Sequence, residues 1–339
     1  MRPLVKCGPL SATRTRSGPV GAVYLAAEQP GGTLGTGPLQ KDAVAVTLHS
    51  ARSCDMAVSH LEDWIACADP IDRKTLDRRA TLQTRKDRKY VLSPDLLVAV
   101  LGRLAEPVQV LETDAQRWFS YRSDYFDTPT FASYRSSAYR RPTRFKVRAR
   151  TYLDTGTVMI EVKTKSRRGL TVKHRTHFHG SGESLLKHVR RFAADVNESA
   201  SAADALQPSF VTTYHRATLL LPQSSVRVTI DAHYLGVAGC LGVGGSLSVD
   251  RRLGVGGSDG VGGNLEFAHQ PASTHLGGEI IVETKSAGRP SAVDRALWQA
   301  RCRPTRISKY TTGLAALRPD LPSNRWHRTL DRHFEVTRP

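Results

Sequence analysis

Basic side chains at every second position are the residues of this sequence best suited to chemistry. Between Arg135 and Arg175 the chain carries thirteen Lys or Arg residues against two acids, a net charge of +11. This is more than half of the formal +18 of all 339 residues. Alternate side chains of a β-strand point to opposite faces, so a two-residue period puts such charges on one side of a sheet. Like charges on neighbouring strands repel, and the pattern therefore predicts a bound polyanion.

The two-residue period appears in three runs of charged residues, each of which is predicted to be a strand. They are Arg144, Lys146, Arg148 and Arg150; Glu161, Lys163 and Lys165; and Lys173 and Arg175. Apolar residues such as Val147 and Val162 lie between the charges, so helices or another sheet must cover the opposite face. A sheet that closes into a barrel, with charges in the lumen and helices outside, satisfies both faces. For any single strand, a charged face in contact with solvent is the alternative.

An antiparallel sheet with helices packed against it, an α+β fold, is the architecture that would position these charges. Strands are predicted over residues 85–92, 120–126, 144–152, 158–165, 171–178, 226–232 and 279–285. Helices are predicted over residues 56–66, 94–104, 183–196 and 292–301. Ser93-Pro94-Asp95 supplies the second helix with an N-cap, a proline at its first position and an acid in its first turn.

Composition divides the chain into a folded domain and three segments without a packed core. Residues 1–80, rich in Gly, Pro, Ser, Thr and Ala, are expected to form a disordered leader with one short helix. Residues 236–263 form a glycine-rich flexible insertion, and since no Gly-Lys-Ser/Thr follows, it is not interpreted as a phosphate loop. The folded domain is then residues 81–318, and residues 319–339 are a C-terminal tail.

Bulk properties indicate a soluble cytoplasmic protein with an anionic partner. The composition is 40% hydrophobic and 24% charged, and no run of about 18 apolar residues predicts a membrane helix. Five scattered cysteines without CxxC spacing indicate neither a disulfide framework nor a zinc site. The pI of about 10.1 points to nucleic acid, an acidic membrane, nucleotides or condensed phosphate, without choosing among them.

A few acids are interspersed on the basic strands. Those expected to share the charged face are Asp87, Glu161, Asp231, Glu279 and Glu283. For Asp87 and Glu161, salt bridges that relieve repulsion are at least as good an interpretation as function. Glu283 is the best metal-ligand candidate, because Mg²⁺ and Mn²⁺ prefer one or two carboxylates plus phosphate oxygens. His174, His177 and His179 have no acid or cysteine at fitting spacing and are interpreted as ordinary strand residues.

Short motifs in chain order resemble the VTC domain, the catalytic domain of the vacuolar transporter chaperone polyphosphate polymerases. This domain is a branch of the CYTH-like triphosphate tunnel metalloenzymes, and the resemblance runs over about residues 82–317. The motifs are Arg85-x-Asp87-x-Lys89-Tyr90, Tyr125-Phe126-Asp127-Thr128, Lys146-x-Arg148-x-Arg150-Thr151-Tyr152, Glu161-x-Lys163-x-Lys165, Lys173-x-Arg175, Thr229-Ile230-Asp231, Glu283-x-Lys285 and Ser308-Lys309-Tyr310.

The resemblance implies an eight-stranded antiparallel β-barrel, a triphosphate tunnel with basic walls and helices outside. It implies Mn²⁺ or Mg²⁺ as cofactor, and ATP or another triphosphate and polyphosphate as ligands. The catalytic residues implied are Lys89, Arg148, Arg150, Lys163, Arg175 and Lys309. The substrate-binding residues implied are Arg85, Lys146, Lys165, Lys173, Arg227 and Lys285. The metal ligand implied is Glu283, with Glu161 and Asp231 as further candidates.

The reaction that the resemblance implies is transfer of the ATP γ-phosphate to a growing polyphosphate. Hydrolytic relatives carry Glu-x-Glu-x-Lys on the first strand, where this chain has Arg85 and Asp87, and the difference favours a polymerase. A tunnel triphosphatase is the first alternative, and a non-catalytic polyanion-binding module is the second. Stand-alone forms of the domain look bacterial. No specific nucleic-acid partner is expected, and a membrane partner that exports the product is left open.

Overall fold

The computed structural model describes residues 58–80, 86–167, 171–180, 182–196, 200–238 and 272–338. The strands are β1 Asp69–Ile71, β2 Lys86–Leu92, β3 Gln109–Leu111, β4 Phe119–Asp127, β5 Arg144–Tyr152, β6 Thr157–Lys165, β7 Thr171–Phe178, β8 Gln207–Leu221, β9 Val226–Ala238, β10 Ser273–His275, β11 Ile280–Ser286 and β12 Glu335–Thr337. The helices are α1 over residues 58–67, α2 Arg73–Arg79, α3 Pro94–Leu101, α4 Ala132–Ala138, α5 Gly182–Val196, α6 Ala200–Ala203, α7 Ala292–Gln299, α8 Lys309–Leu317 and α9 His327–His333.

Eight antiparallel strands form the wall of a barrel in the order β2-β11-β9-β8-β4-β5-β6-β7. No ladder joins β2 to β7 within the described part of the chain, so hydrogen bonds between strands do not close the barrel there. Residues 303–307 run along the outer edge of β2, where the Thr305 amide donates to the Lys89 carbonyl at 2.7 Å. The fold confirms the predicted α+β class, an eight-stranded antiparallel tunnel with helices outside.

The register of β5, β6 and β7 puts the predicted charges side by side. Arg148 lies opposite Glu161, which lies opposite Arg175. One step along, Lys146 is opposite Lys163 on β6. Because register fixes which face each side chain takes, these ladders place all the alternating charges on the inner face of the barrel.

Helices cover the outer faces of β5 and β6 on one side of the barrel and of β2, β9 and β11 on the other. Val147 and Ile160 belong to a buried cluster that includes Val189 and Ala193 of α5. On the other side of the barrel, strands β2, β9 and β11 share a cluster with α1, α3 and α7. Full burial of an aliphatic or Phe side chain contributes about 1.5–3 kcal/mol, so these two clusters supply the driving force that holds the sheet curved.

Helix α7 is anchored to the sheet by Asp294, a fully buried residue that also forms its capping box with Ser291. The Asp294 carboxylate accepts hydrogen bonds at 2.7 Å from Tyr90 of β2 and Thr284 of β11. Arg88 donates to the same group at 3.4 Å. This outward-facing network ties β2, β11 and α7 together without entering the lumen.

Helix α8 closes one end of the barrel. Tyr310 stacks on Tyr125 of β4 at 4.9 Å between ring centroids, and its hydroxyl donates to Asp127 at 2.5 Å. A Cβ at Gly313 would lie 2.1 Å from the Tyr234 hydroxyl and 2.6 Å from Phe210 Cζ, so the helix approaches β8 and β9 too closely for any larger residue. The first residue of α8, Lys309, is thereby held at the lumen.

Three predicted boundaries are wrong. Folded structure begins before Leu82, since α1, β1 and α2 lie within residues 58–80 and β1 pairs with β3. Residues 319–338 are not a tail, because Trp326 is only 4% exposed and β12 pairs with β10. Gly236 is part of β9, opposite Thr212 and Thr274, rather than the start of an insertion. Residues 1–57 and 239–271, which hold the rest of the predicted leader and insertion, lie outside the described residues.

Candidate active site

A cavity of about 730 Å³ occupies the lumen of the barrel. Of the described residues, twelve Lys or Arg line it against four acids. The basic residues are Arg73, Lys89, Lys146, Arg148, Arg150, Lys163, Lys173, Arg175, Arg216, Arg227, Lys285 and Lys309, and the acids are Asp77, Asp87, Glu161 and Glu283. A low-dielectric wall with one dominant charge focuses its field on the interior, so the cavity is suited to a multiply charged anion.

Glu161 is locked between two cations on neighbouring strands. Arg148 Nε donates to Glu161 Oε2 at 2.6 Å, and Lys173 Nζ donates to Oε1. Burial alone would raise the pKa of Glu161, but Arg148, Arg150 and Lys173 lower it to about 2. This carboxylate therefore stays ionised and serves to hold the basic strands β5, β6 and β7 together.

Asp231 forms a second locked group at the α8 end. Arg216 Nε and Nη2 donate to the two carboxylate oxygens at 2.5 and 2.8 Å, and Lys309 Nζ donates to Oδ2. Burial opposes ionisation, yet Arg216 and Lys309 hold the pKa of Asp231 well below its usual range. Asp231 is only 1% exposed and is not one of the cavity-lining residues. Its role is therefore to position Arg216 and Lys309, which do line the cavity.

Glu283 is held more loosely than the other two acids. Its oxygens lie 3.5 Å from Lys285 Nζ and 4.0 Å from Lys89 Nζ, beyond a strong hydrogen bond. The Glu283 pKa is held well below its usual range, since Lys89 and Lys285 outweigh the effect of burial. Burial lowers the pKa of Lys285 to about 8, although Glu283 opposes the shift. Glu283 is therefore an ionised carboxylate in the cavity wall whose oxygens are not saturated by arginine.

Lys146 is a partly buried amine without a carboxylate partner among the described residues. Its Nζ donates to Ser308 Oγ at 2.8 Å, immediately before α8. Burial and the neighbouring charges of Lys89, Lys163 and Arg148 lower its pKa to about 7. The pKa therefore lies well below the ordinary value for lysine, and an anion in the cavity would raise it again and favour the charged amine.

Tyrosines form one side of the lumen. Tyr121 and Tyr214 stack at 5.4 Å, and the Arg216 guanidinium lies 5.4 Å from the first ring and 5.2 Å from the second. Arg150 Nε and the Tyr214 hydroxyl are buried without a hydrogen-bond partner among the described residues. Burial would raise the pKa of Tyr214, but Arg150, Arg216 and Lys309 lower it. Both unpaired groups belong to cavity-lining residues, which favours a ligand rich in acceptor oxygens.

Most residues predicted for the site lie on the cavity, and a few do not. Lys165 lies at the end of β6 opposite Arg144, outside the cavity lining. Glu279, expected in the lumen, precedes β11 and contacts His333 of α9 at 2.6 Å. Arg85 falls outside the described residues.

Sequence reasoning missed Arg216, Tyr214 and Tyr121. The alternation of Thr212, Tyr214, Arg216 and Thr218 along β8 is the signal that could have revealed the first two.

Metal binding by protein side chains alone finds no support among the described residues, where no three His, Cys, Asp or Glu side chains are grouped to hold an ion. His177 and His179 stack on each other at 5.9 Å without such a group. The carboxylates of Glu161 and Asp231 already form ion pairs with arginines. Glu283 is the acid of the predicted metal set that fits a divalent cation, and phosphate oxygens would have to complete its coordination.

Antiparallel strands around a basic lumen, with loosely held Glu283 in its wall, define a triphosphate-tunnel protein. The VTC domain profile matches residues 84–318, about two thirds of the sequence. The chain belongs to the VTC domain family. A comparison with curated protein sequences gives no significant match.

Solved structures similar to this chain share little sequence with it. One is a candidate adenylate cyclase from Vibrio parahaemolyticus, at 10% identity and a TM-score of 0.34, covering 68% of this chain and 97% of that one. The PH1819 protein from Pyrococcus horikoshii OT3 has 10% identity and a TM-score of 0.36, covering 69% and 98%. HpAC1 from Hippeastrum, described as having dominant triphosphatase activity, has 13% identity and a TM-score of 0.35, covering 70% and 98%.

In the described ranges, no helix combines the length and the apolar character needed to cross a bilayer.

Proposed function

We propose that this chain is a metal-dependent polyphosphate polymerase that transfers the γ-phosphate of ATP to the end of a growing polyphosphate. The observation that carries the proposal is the convergence of lumen-facing cations from seven strands and helix α8 on one cavity. Membership of the VTC domain family supports the same reaction. Mn²⁺ or Mg²⁺ would be held by Glu283 together with phosphate oxygens.

Phosphoryl transfer requires positioning and charge stabilisation more than covalent chemistry. Charge in the loose transition state spreads over non-bridging oxygens, and preorganised Lys and Arg groups stabilise it without reorganisation. Arg148 and Arg216 are each fixed by a carboxylate, and their remaining N–H groups would donate to phosphate oxygens. Lys89, Lys285 and Lys309 would supply point charges around the transferred group.

A polymerase needs no general base, because the acceptor is an already ionised phosphate oxygen. The lumen is consistent with this, since Glu161 is tied up by Arg148 and Lys173. A bound divalent ion would supply Lewis-acid polarisation of the phosphoryl oxygens. In this proposal the residues of the chain bind the donor and acceptor, align them and neutralise their repulsion.

A triphosphatase is the second candidate, and Asp87 is the observation that favours it. Asp87 lines the same cavity as Glu283, and the two lie on neighbouring strands, with Asp87 opposite Lys285 and Glu283 opposite Lys89. Two carboxylates on one wall could orient a water molecule as well as a metal ion. The candidates differ in the acceptor, which is a phosphate chain in one and water in the other.

The test is incubation of the purified protein with ATP and Mn²⁺ or Mg²⁺, followed by gel analysis of the products. Long-chain polyphosphate is the expected product. Orthophosphate without polymer would reject the polymerase proposal in favour of the triphosphatase. Glu283→Gln should abolish turnover and leave metal-free tripolyphosphate binding intact. Glu335→Gln, at an exposed position remote from the cavity, is the matched control and should leave turnover unchanged. Binding without any turnover in the unaltered protein would indicate a non-catalytic module.

A further inference from the structure

Five arginines form a basic surface outside the cavity, at the α8 end of the barrel. Arg140 and Arg141 follow α4, Arg144 begins β5, Arg306 lies just before α8, and Arg325 lies in the short 3₁₀ helix Asn324–Trp326. These residues are called the outer arginine patch. Only Arg144 and Arg325 are partly buried, and the other three are exposed.

Four members of the patch interact electrostatically. Arg325 Nη1 donates to the Ser137 carbonyl at 2.7 Å, in the last turn of α4 and three residues before Arg140. The pKa of Arg325 is lowered by burial and by the charges of Arg144, Arg140 and Arg306, which are therefore close to it. Arg141 borders a shallow depression of about 590 Å³ that Arg167 also lines.

The acids of the described residues do not pair with the charges of the patch. Among the described residues, no Asp or Glu oxygen lies within 4.0 Å of a charged nitrogen of any of the five arginines. Arg325 Nε is buried and has no hydrogen-bond partner in the described ranges of the chain. Clustered like charges repel, so a ligand that brings negative charge would relieve the strain of this arrangement.

The patch begins where the lumen ends. Arg144 and Lys146 share the inner face of β5, since they are two residues apart on one strand. Lys146 contacts Ser308, and Arg306 lies two residues before it. At the same end of β6, Lys165 lies opposite Arg144. Basic side chains therefore continue without interruption from the cavity to the outer surface.

We propose that the outer arginine patch binds the part of a condensed-phosphate chain that extends beyond the tunnel. This inference rests on the proposed function, because it assumes that a phosphate chain occupies the lumen. A chain longer than the cavity would contact both the lumen and the patch, whereas tripolyphosphate would contact the lumen alone. Continuity with the lumen favours condensed phosphate over nucleic acid, because one phosphate chain could contact the lumen and the patch together.

The test compares two phosphate lengths on one variant, Arg140→Ser/Arg141→Ser/Arg306→Ser. Affinity for tripolyphosphate and for a long-chain polyphosphate is measured by calorimetry at several salt concentrations. The variant should keep its affinity for tripolyphosphate, and its affinity for the long chain should fall by about tenfold or more. The slope of log affinity against log salt concentration should become shallower by about 2, because three phosphate contacts are lost. The control Arg103→Ser/Lys187→Ser/Arg191→Ser removes the same charge from exposed positions elsewhere and should match the unaltered protein.

Each other outcome has a defined meaning. If the unaltered protein binds no phosphate of either length, the proposed function fails. If tripolyphosphate binds but the long chain binds equally well to the variant, the control and the unaltered protein, only the inference about the patch fails. Tighter binding of single-stranded DNA than of polyphosphate to the patch would also overturn it. Equal circular dichroism spectra and thermal midpoints of the two triple variants exclude unfolding as a cause.

Discussion

Arg216 and Asp231 form a bidentate ion pair across the β8–β9 ladder, with oxygen–nitrogen distances of 2.5 and 2.8 Å. Lys309 reaches the same carboxylate from the first residue of α8. Arg216, which lines the cavity, is thus fixed by Asp231, which does not. Strands β8 and β9 and helix α8 therefore meet at the buried Asp231 carboxylate. This shared carboxylate couples the position of α8 to that of the basic wall.

Asp231→Asn should destabilise the protein by about 3–5 kcal/mol in the absence of added phosphate, because it removes a buried carboxylate and leaves two partly buried cations without their partner. An anion in the lumen would partly replace the lost carboxylate, so tripolyphosphate should raise the thermal midpoint of this variant more than that of the unaltered protein. Thermal denaturation with and without tripolyphosphate measures both effects. Asp124→Asn, which breaks the Arg122–Asp124 pair away from the cavity, is the control and should show no extra gain from the ligand.

Glu161 predicts a specific acid sensitivity. Its pKa is about 2 in the folded protein against an ordinary value of 4.5. A carboxyl group with a depressed pKa contributes stability that is present above pH 4.5 and is lost as the pH falls towards 2. Glu161→Gln should therefore lower the free energy of unfolding near neutral pH and flatten its decline below pH 4.5. Denaturant unfolding across this pH range is the measurement, and an unchanged decline in the variant would contradict the assignment.

Lys146 predicts proton uptake on ligand binding. Its pKa of about 7 in the empty cavity would rise beside bound phosphate, so affinity should fall as the pH rises above 7. Calorimetry of tripolyphosphate binding in two buffers of different ionisation enthalpy counts the protons. Lys146→Met should remove the uptake near pH 7 and leave that of Lys285, whose pKa is about 8. Equal proton counts in the variant and the unaltered protein would rule out Lys146 as the group responsible.

The close approach of α8 at Gly313 indicates that the packing of this helix determines phosphate affinity. Gly313→Ala would force a Cβ to within 2.1 Å of the Tyr234 hydroxyl, and such overpacking costs about 1–3 kcal/mol. The displaced helix should also move Lys309, so tripolyphosphate affinity should fall together with stability. Gly102→Ala is the control, because its Cβ would meet only the Val98 carbonyl at 3.4 Å with φ at −66°. Unchanged tripolyphosphate affinity in Gly313→Ala would show that the packing of α8 does not control ligand binding.

The strands that the sequence predicted best are those whose inner-face charges recur at every second residue. Strand β5 spans the predicted residues 144–152, where charge and hydrocarbon alternate, and β7 spans the predicted residues 171–178, where Lys173 and Arg175 are two residues apart. Strand β8 was not predicted. Its end, Leu219 to Leu221, is buried on both faces, so periodicity gives no signal there. Arg216 and Tyr214 were missed with it.

Other parts of the site depend on contacts between residues distant in the sequence. The position of Lys309 follows from packing of α8 against β8 and β9, which local spacing does not encode. Arg73 and Asp77 of α2 lie in a region whose composition resembles a disordered leader, yet both line the cavity. The different roles of Glu161, Asp231 and Glu283 also required structure, because only distances show which carboxylates arginine has saturated.

The strict alternation along β5 makes the tunnel intolerant of insertions and deletions within its strands. One added residue between Lys146 and Arg148 would turn every following guanidinium towards Ile160 and Val162, and bring valine and alanine to the lumen. Changes in chain length can therefore be accommodated only at the connections. Divergence among proteins with this barrel should accordingly be found in the lengths of the connections between strands, while the spacing of the cations stays fixed.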